Sequence, residues 1–372
     1  MKGEFADYAV RRVIGAAAPG AEIATWTVVA DEYPAMTPST ASLDRVIATV
    51  TDGRRASVFA KTLQSIRHWP AFETIPEAFK EAAVAGFPWH VEADVYASGL
   101  LADLPDGVRA PRLFLIEELG DDRTRLWMED VAAVPAAWDL ARYQLAARAL
   151  GRLAGRFPAA RLPARLQPLG MGLRAFFRLR IVSTVLPSLR TDRTWDHPFA
   201  RAALAVDPDL RADLLTLVDD APLLLDMLDG LPQTLAHWDA CPQNLLADPE
   251  RVDGFVAIDW SFTTTAPVGF DLGQLLVGLA QTGELDPTEL PAIHAAIVPA
   301  YLEALRNEGV DADPADVRTG YVGSLLLRSG FTGPPLELLG RSDEPGIADV
   351  FAQRARYARF LLDLRKEVHL PT

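Results

Sequence analysis

One short stretch of the chain concentrates polar side chains that can do chemistry. It reads LAHWDACPQNLL over residues 235–246 and contains Asp239 and Asn244, and Asp259 follows fifteen residues after Asn244. An amide oxygen and a carboxylate are hard oxygen ligands of the kind that Mg²⁺ prefers. A second carboxylate nearby, Asp239, can accept a hydrogen bond from a substrate hydroxyl and orient it for attack.

A small β-hairpin is expected to bring these residues together. The apolar runs NLLA and FVAI bracket the turn-forming segment DPERVDG, a pattern typical of two short strands joined by a turn. Asn244 stands just before the first run and Asp259 just after the second, so the hairpin places them side by side. Phosphoryl transfer needs a positioned nucleophile, metal ions on the phosphates and positive charge. This cluster would supply the first two.

The same residues carry a resemblance to a known family. His-x-Asp-x4-Asn followed by Ile-Asp resembles the catalytic loop and metal-binding aspartate of kinases. The longer match, PQTLAHWDACPQNLLA followed by FVAIDWSFTTTAPVGFDLGQL, more closely resembles the phosphotransferase superfamily of aminoglycoside kinases, choline kinases and ecdysteroid-type kinases. The motif matches cover roughly a third of the chain. The resemblance implies that Asp239 orients the acceptor hydroxyl and that Asn244 and Asp259 hold Mg²⁺.

The elements that must position this cluster fall into two groups. A chain of 372 residues is longer than the roughly 250 to 300 at which one hydrophobic core stops growing, so two lobes are expected. The first third alternates strand and turn signals, and the rest has apolar residues at helical spacing. Strand patterns occupy 23–33, 44–50, 56–63, 112–118 and 124–130, and helical patterns occupy 76–86 and 89–104.

The fold class predicted from these patterns and from the resemblance is α+β and protein-kinase-like. A small N-terminal nucleotide-binding lobe, residues 1–131, would contain a five-stranded antiparallel sheet. A larger and mostly helical C-terminal lobe, residues 132–372, would carry the catalytic loop and the substrate site, with the boundary near Val134-Pro135.

The resemblance also assigns nucleotide-binding residues in the first lobe. Lys61 in SVFAKTL would hold the α- and β-phosphates, and a helix glutamate would hold the lysine. Glu92 in EADVYASGL is the chosen partner because its Glu-x3-Tyr pattern resembles that helix of the family, and Glu81 is the alternative.

The stretch TRLWMEDV resembles the hinge of the family, where backbone groups face the adenine. The carbonyl of Glu129 and the amide of Val131 would bind the base, and Met128 would line the back of the pocket. Because backbone groups make these contacts, ATP and GTP both remain open as donors.

Two features depart from the family pattern. The loop between the first two strands, often rich in glycine in the family, reads PAMTPSTASLD; we interpret Ser39, Thr40 and Ser42 as a Ser/Thr phosphate loop, and a polar surface turn is the alternative. Trp238 stands where the family usually has glycine, and it either reshapes the mouth of the substrate pocket or packs in the core.

Three further residues near the motif are given structural roles. His237 is expected to brace the loop, and Cys241 to pack as a small hydrophobic residue because no base marks it as a nucleophile. Asp271 is expected to start a helix and to brace the catalytic loop with its carboxylate.

Composition limits the partners. The formal net charge is −14 and no Lys/Arg block is present, so nucleic acid is not expected as a partner. One cysteine excludes an intrachain disulfide, and the sequence shows no pattern of a signal peptide or of a membrane span. We expect a cytoplasmic protein that does not bind membranes, and its oligomeric state stays open.

Three functions compete. The favoured one is an ATP- or GTP-dependent O-phosphotransferase acting on a small molecule such as an aminoglycoside, another antibiotic, a sugar or an amino alcohol. Asp271 follows only twelve positions after Asp259, too short a spacing for a long peptide-presenting segment. The alternatives are a catalytically inactive nucleotide-binding module, and a metal-dependent hydrolase built on His237, Asp239 and Asp259.

Overall fold

The computed structural model of the chain describes residues 5–31, 37–75, 77–132, 134–163, 169–341 and 344–370. The end of the first predicted strand, residues 32–33, lies outside these ranges. So do residues 34–36 at the start of the predicted phosphate loop, and Pro76.

The N-terminal lobe contains the predicted five-stranded antiparallel sheet. Its strands follow the order β1-β2-β3-β6-β5. The β2–β3 hairpin turns at Asp52-Gly53, where Gly53 takes a φ of 85° that glycine adopts without strain. The strands of this part of the chain are β1 (Ile23–Ala30), β2 (Thr40–Val50), β3 (Arg55–Gln64), β4 (Val108–Arg109), β5 (Leu113–Gly120) and β6 (Arg123–Glu129).

Three helices accompany these strands. The first, α1, was not expected from the sequence and packs its apolar side on the sheet, against Val46, Val58 and Trp127. The other two lie between β3 and β4. The bounds are α1 (Asp7–Ala17), α2 (Glu77–Gly86) and α3 (Val91–Ala97).

Two boundaries differ from the sequence-based expectation. The helix predicted over 89–104 ends at Ala97, because Gly99 takes a left-handed φ of 79° that stops helical hydrogen bonding. The strand predicted to begin at Asp44 begins at Thr40, which pairs with Leu63 of β3. Four more residues of the expected loop therefore belong to β2.

The C-terminal lobe is mostly helical, as predicted, and its apolar core is continuous from α4 to α13. A π-helix over Phe177–Val185 links α5 to α6. Within the described ranges, no helix is both long and apolar enough to span a lipid bilayer. The helices are α4 (Leu140–Arg156), α5 (Leu173–Phe176), α6 (Leu186–Arg190), α7 (Asp192–Trp195), α8 (Pro198–Val206), α9 (Leu210–Gly230), α10 (Leu272–Thr282), α11 (Leu290–Asn307), α12 (Pro314–Ser329) and α13 (Ile347–Leu364).

Two small sheets frame the polar cluster. One pairs β7 with β10 in antiparallel fashion, and the other has the order β4-β9-β8. In the second, β8 and β9 form the predicted antiparallel hairpin, while β4 pairs with β9 in parallel. The strands are β7 (Gln233–Ala236), β8 (Leu245–Ala247), β9 (Phe255–Ala257) and β10 (Thr264–Pro267).

Helices α4 and α11 approach each other closely at a glycine. A Cβ atom placed on Gly151 would lie 2.6 Å from the carbonyl oxygen of Tyr301 and 2.9 Å from Cβ of Ala304. Backbone cannot yield as a flexible side chain does, so only glycine fits this position without displacement.

Replacing Gly151 by alanine is therefore expected to lower the free energy of unfolding by about 1–3 kcal/mol, as overpacking of a close contact does. Gly230→Ala is the control, because Gly230 is likewise a helical glycine of this lobe, the last residue of α9, but has no atom within 4 Å of its added Cβ. Urea denaturation of both variants measures the effect. Equal stability of the two variants would contradict the close α4–α11 contact.

Candidate active site

The catalytic-loop segment, residues 237–244, connects β7 to β8 and is held by a buried carboxylate. Asp271 lies just before α10 and accepts the backbone N–H of His237 at 2.9 Å and of Trp238 at 2.8 Å. Both donors belong to irregular backbone that no strand or helix satisfies. The predicted bracing role of Asp271 is thus confirmed by its contacts.

His237 braces the same loop from within. Its Nδ1 accepts the backbone N–H of Asp239 at 3.3 Å, and its Nε2 lies 2.9 Å from the carbonyl oxygen of Ile258, to which it donates. The ring is buried. Because both ring nitrogens are engaged by backbone, His237 offers no ligand to a metal, which removes the basis of the hydrolase hypothesis.

The hairpin brings the predicted acid and amide residues together. Asn244 Nδ2 donates to the backbone oxygen of Asp239 at 2.9 Å and to its Oδ2 at 3.1 Å. The carbonyl of Asn244 accepts the N–H of Ile258 at 3.0 Å, next to Asp259. Asp239, Asn244 and Asp259 therefore belong to one hydrogen-bonded unit.

A buried three-charge cluster connects this unit to the N-terminal lobe. Lys61 Nζ on β3 lies 2.7 Å from Oδ1 of Asp259 and 2.6 Å from Oε2 of Glu92 on α3. Glu92 Oε1 also accepts the backbone N–H of Trp260 at 3.2 Å. Glu92 is thus the glutamate that pairs with Lys61, whereas Glu81 on α2 is exposed.

The cluster favours the charged forms of Lys61 and Asp259, whereas burial raises the pKa of Glu92. Burial opposes ionisation of Asp259, but the Lys61 ammonium outweighs it and lowers the pKa of Asp259 to about 2. Burial alone would lower the pKa of Lys61, yet the Asp259 and Glu92 carboxylates raise it. Lys61 is therefore held as a cation at neutral pH.

The residues present fit a magnesium ion. Two carboxylates face one ammonium in the cluster, so it carries an excess negative charge that a divalent cation would compensate. The amide nitrogen of Asn244 faces Asp239, which leaves its side-chain oxygen directed elsewhere, available as a ligand. The described ranges contain no group of three or more His, Cys, Asp or Glu residues with metal-site geometry. Mg²⁺ commonly takes one or two protein oxygens, with phosphates and water completing its shell.

The predicted hinge residues lie where β6 ends. Met128 is buried in the sheet and Val131 is half-buried just beyond it. Arg109 on β4 binds the Glu129 carboxylate with two hydrogen bonds of 2.9 and 3.1 Å. Its Nε also lies 3.2 Å from both oxygens of the buried Asp248, which follows β8. Arg109, which the sequence did not single out, thus joins the hinge to the hairpin.

The predicted Ser/Thr phosphate loop, with Ser39, Thr40 and Ser42, is largely part of a strand and partly buried. Ser39 precedes β2, and its buried hydroxyl lies 2.5 Å from that of Thr37. Thr40 and Ser42 are residues of β2, separated by an irregularity in its pairing with β3. Their role toward phosphate stays a prediction.

Trp238 has a fully buried ring in a strained backbone position. Its φ is 74°, in the left-handed region that glycine tolerates and bulky residues avoid. Such strain costs on the order of 1–3 kcal/mol and persists where the surroundings enforce it. Here the ring stacks on Phe270 at 4.8 Å and meets Phe176 edge-on at 5.5 Å. Of the two readings, core packing is the one that the contacts support.

The surroundings of Cys241 are those of a packing residue and not of a nucleophile. Burial, followed by the charge of Asp239, raises the pKa of its thiol to about 12. A thiol that stays protonated at neutral pH is a poor nucleophile.

Arg328 is the site residue that the sequence reasoning missed. It lies near the end of α12, and its Nη2 is 2.9 Å from Oδ1 of Asp239, while Nη1 donates to the carbonyl oxygen of Trp238. The available signal was one arginine inside the apolar run YVGSLLLRSGF. A lone charge in such a run has to find a partner.

Comparisons with known proteins address the family and the fold. Residues 89–307, more than half of the chain, match the model of a family described as "Phosphotransferase enzyme family". No curated protein matches the sequence.

Three solved structures share the fold. An aminoglycoside phosphotransferase from Alicyclobacillus acidocaldarius is 18% identical, with a TM-score of 0.53 over 87% of this chain and 89% of its own. The amicoumacin kinase hAmiN, in complex with AMP-PNP, Ca²⁺ and Ami, is 14% identical, with a TM-score of 0.52 over 100% and 97%. The spectinomycin phosphotransferase APH(9)-Ia, with ADP and spectinomycin, is 15% identical, with a TM-score of 0.50 over 93% and 95%.

The Arg109–Glu129 pair gives a pH-dependent prediction. Burial opposes ionisation of Glu129, but hydrogen bonds from Arg109 and Arg112 outweigh it and hold its pKa below the ordinary 4.5. A depressed acid pKa stabilises the fold above pH 4.5, and this contribution is lost as the pH falls below 4.5 and through the folded-state pKa. At neutral pH, Glu129→Gln is expected to lower the free energy of unfolding by about 1.5–3 kcal/mol, the value of a hydrogen bond to a charged group.

The measurement is urea denaturation of wild type and Glu129→Gln at pH steps from neutral to acidic. The difference between the two proteins should shrink as the pH falls below 4.5. Glu22→Gln, an exposed acid of the same lobe, serves as the control with little difference at any pH. A gap between wild type and Glu129→Gln that is constant with pH would contradict the charged pair.

Proposed function

Because the chain belongs to the phosphotransferase enzyme family, we propose that it transfers the γ-phosphate of ATP or GTP to a hydroxyl group of a small molecule. One observation carries the proposal. A single hydrogen-bonded unit presents Asp239, Asn244 and Asp259, and the Lys61 ammonium lies 2.7 Å from the last of these. A carboxylate for the acceptor, oxygen ligands for a metal and a cation for phosphates thus stand together, which are the parts that phosphoryl transfer requires.

Each residue has a separate task in this proposal. Asp239 accepts the hydrogen bond of the acceptor hydroxyl and orients its oxygen toward the phosphoryl group. Lys61, fixed by Glu92, binds the donor phosphates. Asn244 and Asp259 would hold Mg²⁺, which supplies positive charge that offsets the charge of the phosphates.

The backbone of the hinge is proposed to bind the base. Met128 is buried and would close the back of the pocket, while the carbonyl of Glu129 and the amide of Val131 would meet the nucleobase edge. The Arg109–Glu129 bonds support this role, because they hold the chain segment that presents these backbone groups. Ser39, Thr40 and Ser42, at the start of β2, are proposed to offer hydroxyl groups to the donor phosphates.

The acceptor is proposed to enter from the helical lobe. A cavity of about 650 Å³ lies between α5, the π-helix, α9 and β10, large enough for a drug-sized molecule. No residue of the catalytic-loop segment lines this cavity. Its connection to that segment is α5, which lines the cavity with Leu173 and packs Phe176 on Trp238.

Two observations favour a small, cationic molecule over a peptide as the acceptor. The connection from Asp259 to the buried Asp271 is a short folded segment containing β10, which leaves no room for a long peptide-binding loop. The negative charge of the chain, −14, attracts cations generically. We propose an antibiotic or amino alcohol bearing hydroxyl groups, in keeping with relatives whose solved complexes contain amicoumacin or spectinomycin.

An inactive nucleotide-binding module is the second candidate, and the strained Trp238 motivates it. The contacts favour an active enzyme. A continuous series of contacts runs from Asp239 through Asn244 and the backbone of Ile258 to Asp259, Lys61 and Glu92. A copy released from catalysis has no need to keep it.

Asp239→Ala is expected to abolish transfer, with kcat falling by about 10²–10⁴-fold, the range of a lost general base. Nucleotide affinity should stay within about twofold, because Asp239 does not face the donor phosphates in this proposal. The measurements are a coupled ADP assay and calorimetric titration with Mg-ADP. Asp253→Ala, which changes an exposed acid of the hairpin turn, is the control and should keep full activity. An unimpaired turnover number in Asp239→Ala would contradict the assignment.

A panel of alcohols should identify the acceptor class. Release of ADP from Mg-ATP, or of GDP from Mg-GTP, by the wild-type protein is expected to rise with a hydroxyl-bearing antibiotic or amino alcohol and to stop when EDTA removes the metal. Nucleotide binding without turnover on aminoglycosides, other antibiotics, sugars and amino alcohols would favour the inactive module instead.

A further inference from the structure

We propose that Arg328 is a positioning residue that fixes Asp239 for catalysis from a helix remote in sequence. This inference rests on the proposed function, since it assigns to Arg328 an effect on phosphoryl transfer that acts through Asp239. It concerns a residue outside both the catalytic loop and the N-terminal lobe.

The contact between the two side chains is direct and mostly shielded from water. Arg328 Nη2 lies 2.9 Å from Oδ1 of Asp239, and the two side chains are 13% and 25% exposed. Hydrogen bonds between charged partners that are partly desolvated are stronger than those on the surface. Free rotation of the Asp239 carboxylate is therefore prevented on the Oδ1 side.

Asn244 restrains the other oxygen of the same carboxylate. Its Nδ2 donates to Oδ2 of Asp239 at 3.1 Å, so each carboxylate oxygen has its own donor. Within the described residues, Arg328 is the cation that contacts this carboxylate. Asp239 thus keeps one orientation before any acceptor arrives, and orientation of a reacting group is a large part of catalysis.

Arg328 is itself held by a rigid platform, which consists of the ring and the carbonyl group of Trp238. Its guanidinium lies over the Trp238 ring at 5.1 Å from the ring centre, and Nη1 donates to the carbonyl oxygen of Trp238. The ring is buried and stacked on Phe270. Planar stacking combined with a forked hydrogen-bond pattern suits arginine and not lysine.

This platform gives the strained residue a function. The left-handed φ of Trp238 turns its carbonyl and its ring toward the same guanidinium. A glycine at this place would relieve the strain but would remove the surface on which Arg328 lies. Trp238 therefore serves to support the arginine, which in turn orients Asp239.

The test is a double-mutant cycle on Arg328 and Asp239. Arg328→Gln is expected to lower kcat by about 10²-fold, the loss that follows from a misplaced reacting group, while Kd for Mg-ADP is unchanged. In an Asp239→Ala background the same substitution should have almost no further effect on kcat, because residues that act as one unit are not additive. Arg328→Lys keeps the charge without the planar fork and should recover part of the lost kcat.

The matched control is Arg359→Gln on α13. Arg359 is also partly buried and paired with two carboxylates, Asp207 and Asp213, but it lies away from the site. Its loss should lower Tm without lowering kcat of the folded protein. Thermal denaturation of every variant separates a loss of folded protein from a loss of turnover.

The outcomes are distinguishable. Near wild-type kcat in Arg328→Gln, or an equal loss of kcat in the presence and absence of the Asp239 carboxylate, would overturn the inference and leave the proposed function intact. A wild-type protein that binds Mg-ADP but turns over no acceptor would overturn the proposed function, and with it any catalytic effect of Arg328. A large loss in Arg328→Gln that vanishes in the Asp239→Ala background supports both.

Discussion

A lysine ammonium that is almost fully buried has to be paired, and the arrangement of the two lobes follows from this constraint. Lys61 on β3 contacts a carboxylate from α3 and another from the segment after β9. Removing the ammonium from such a group would leave two buried carboxylates without a cation, and loss of a partner costs about 3–5 kcal/mol in buried ion pairs. Three elements distant in sequence are thus held at one point, and the N-terminal sheet has a defined position above the hairpin.

Around this point the structure uses side chains to satisfy irregular backbone. Asp271 accepts two N–H groups of the loop, and the His237 ring bridges the loop to Ile258. Buried backbone groups outside helices and sheets need such partners. The loop can therefore be both irregular, as a site requires, and fixed, as catalysis requires.

The sequence predicted the parts of the site whose spacing is local. Asp239, Asn244 and Asp259 follow from one hairpin, and Lys61 and Glu92 from a strand and a helix with the pattern of a family. Arg328 and Arg109 were missed because they belong to no motif and their partners lie 89 and 20 or more residues away. Only the packed structure reveals which of these charges meet.

Backbone geometry was missed for a related reason. The positive φ of Trp238 is enforced by the residues packed around the loop. From its residue type alone, a tryptophan is expected to have a negative φ. The end of α3 and the start of β2 differ from the predicted positions. Gly99 ends the helix, and the pairing of Thr40 with Leu63 extends the strand. Helix α1 is short, and its apolar side gains stability only from the sheet that it covers.

The parallel pairing of β4 with β9 affects the order in which the molecule can form. The five-stranded sheet is built from residues 23–129 and is complete in sequence long before β9 leaves the ribosome. Strand β4 has no partner until Phe255 and Val256 are synthesised. During synthesis the Arg109 side chain can bind Glu129 early but must wait for Asp248. The link from the hinge to the hairpin therefore cannot form before residue 256 has been synthesised, because non-local strand pairing has to await the later segment.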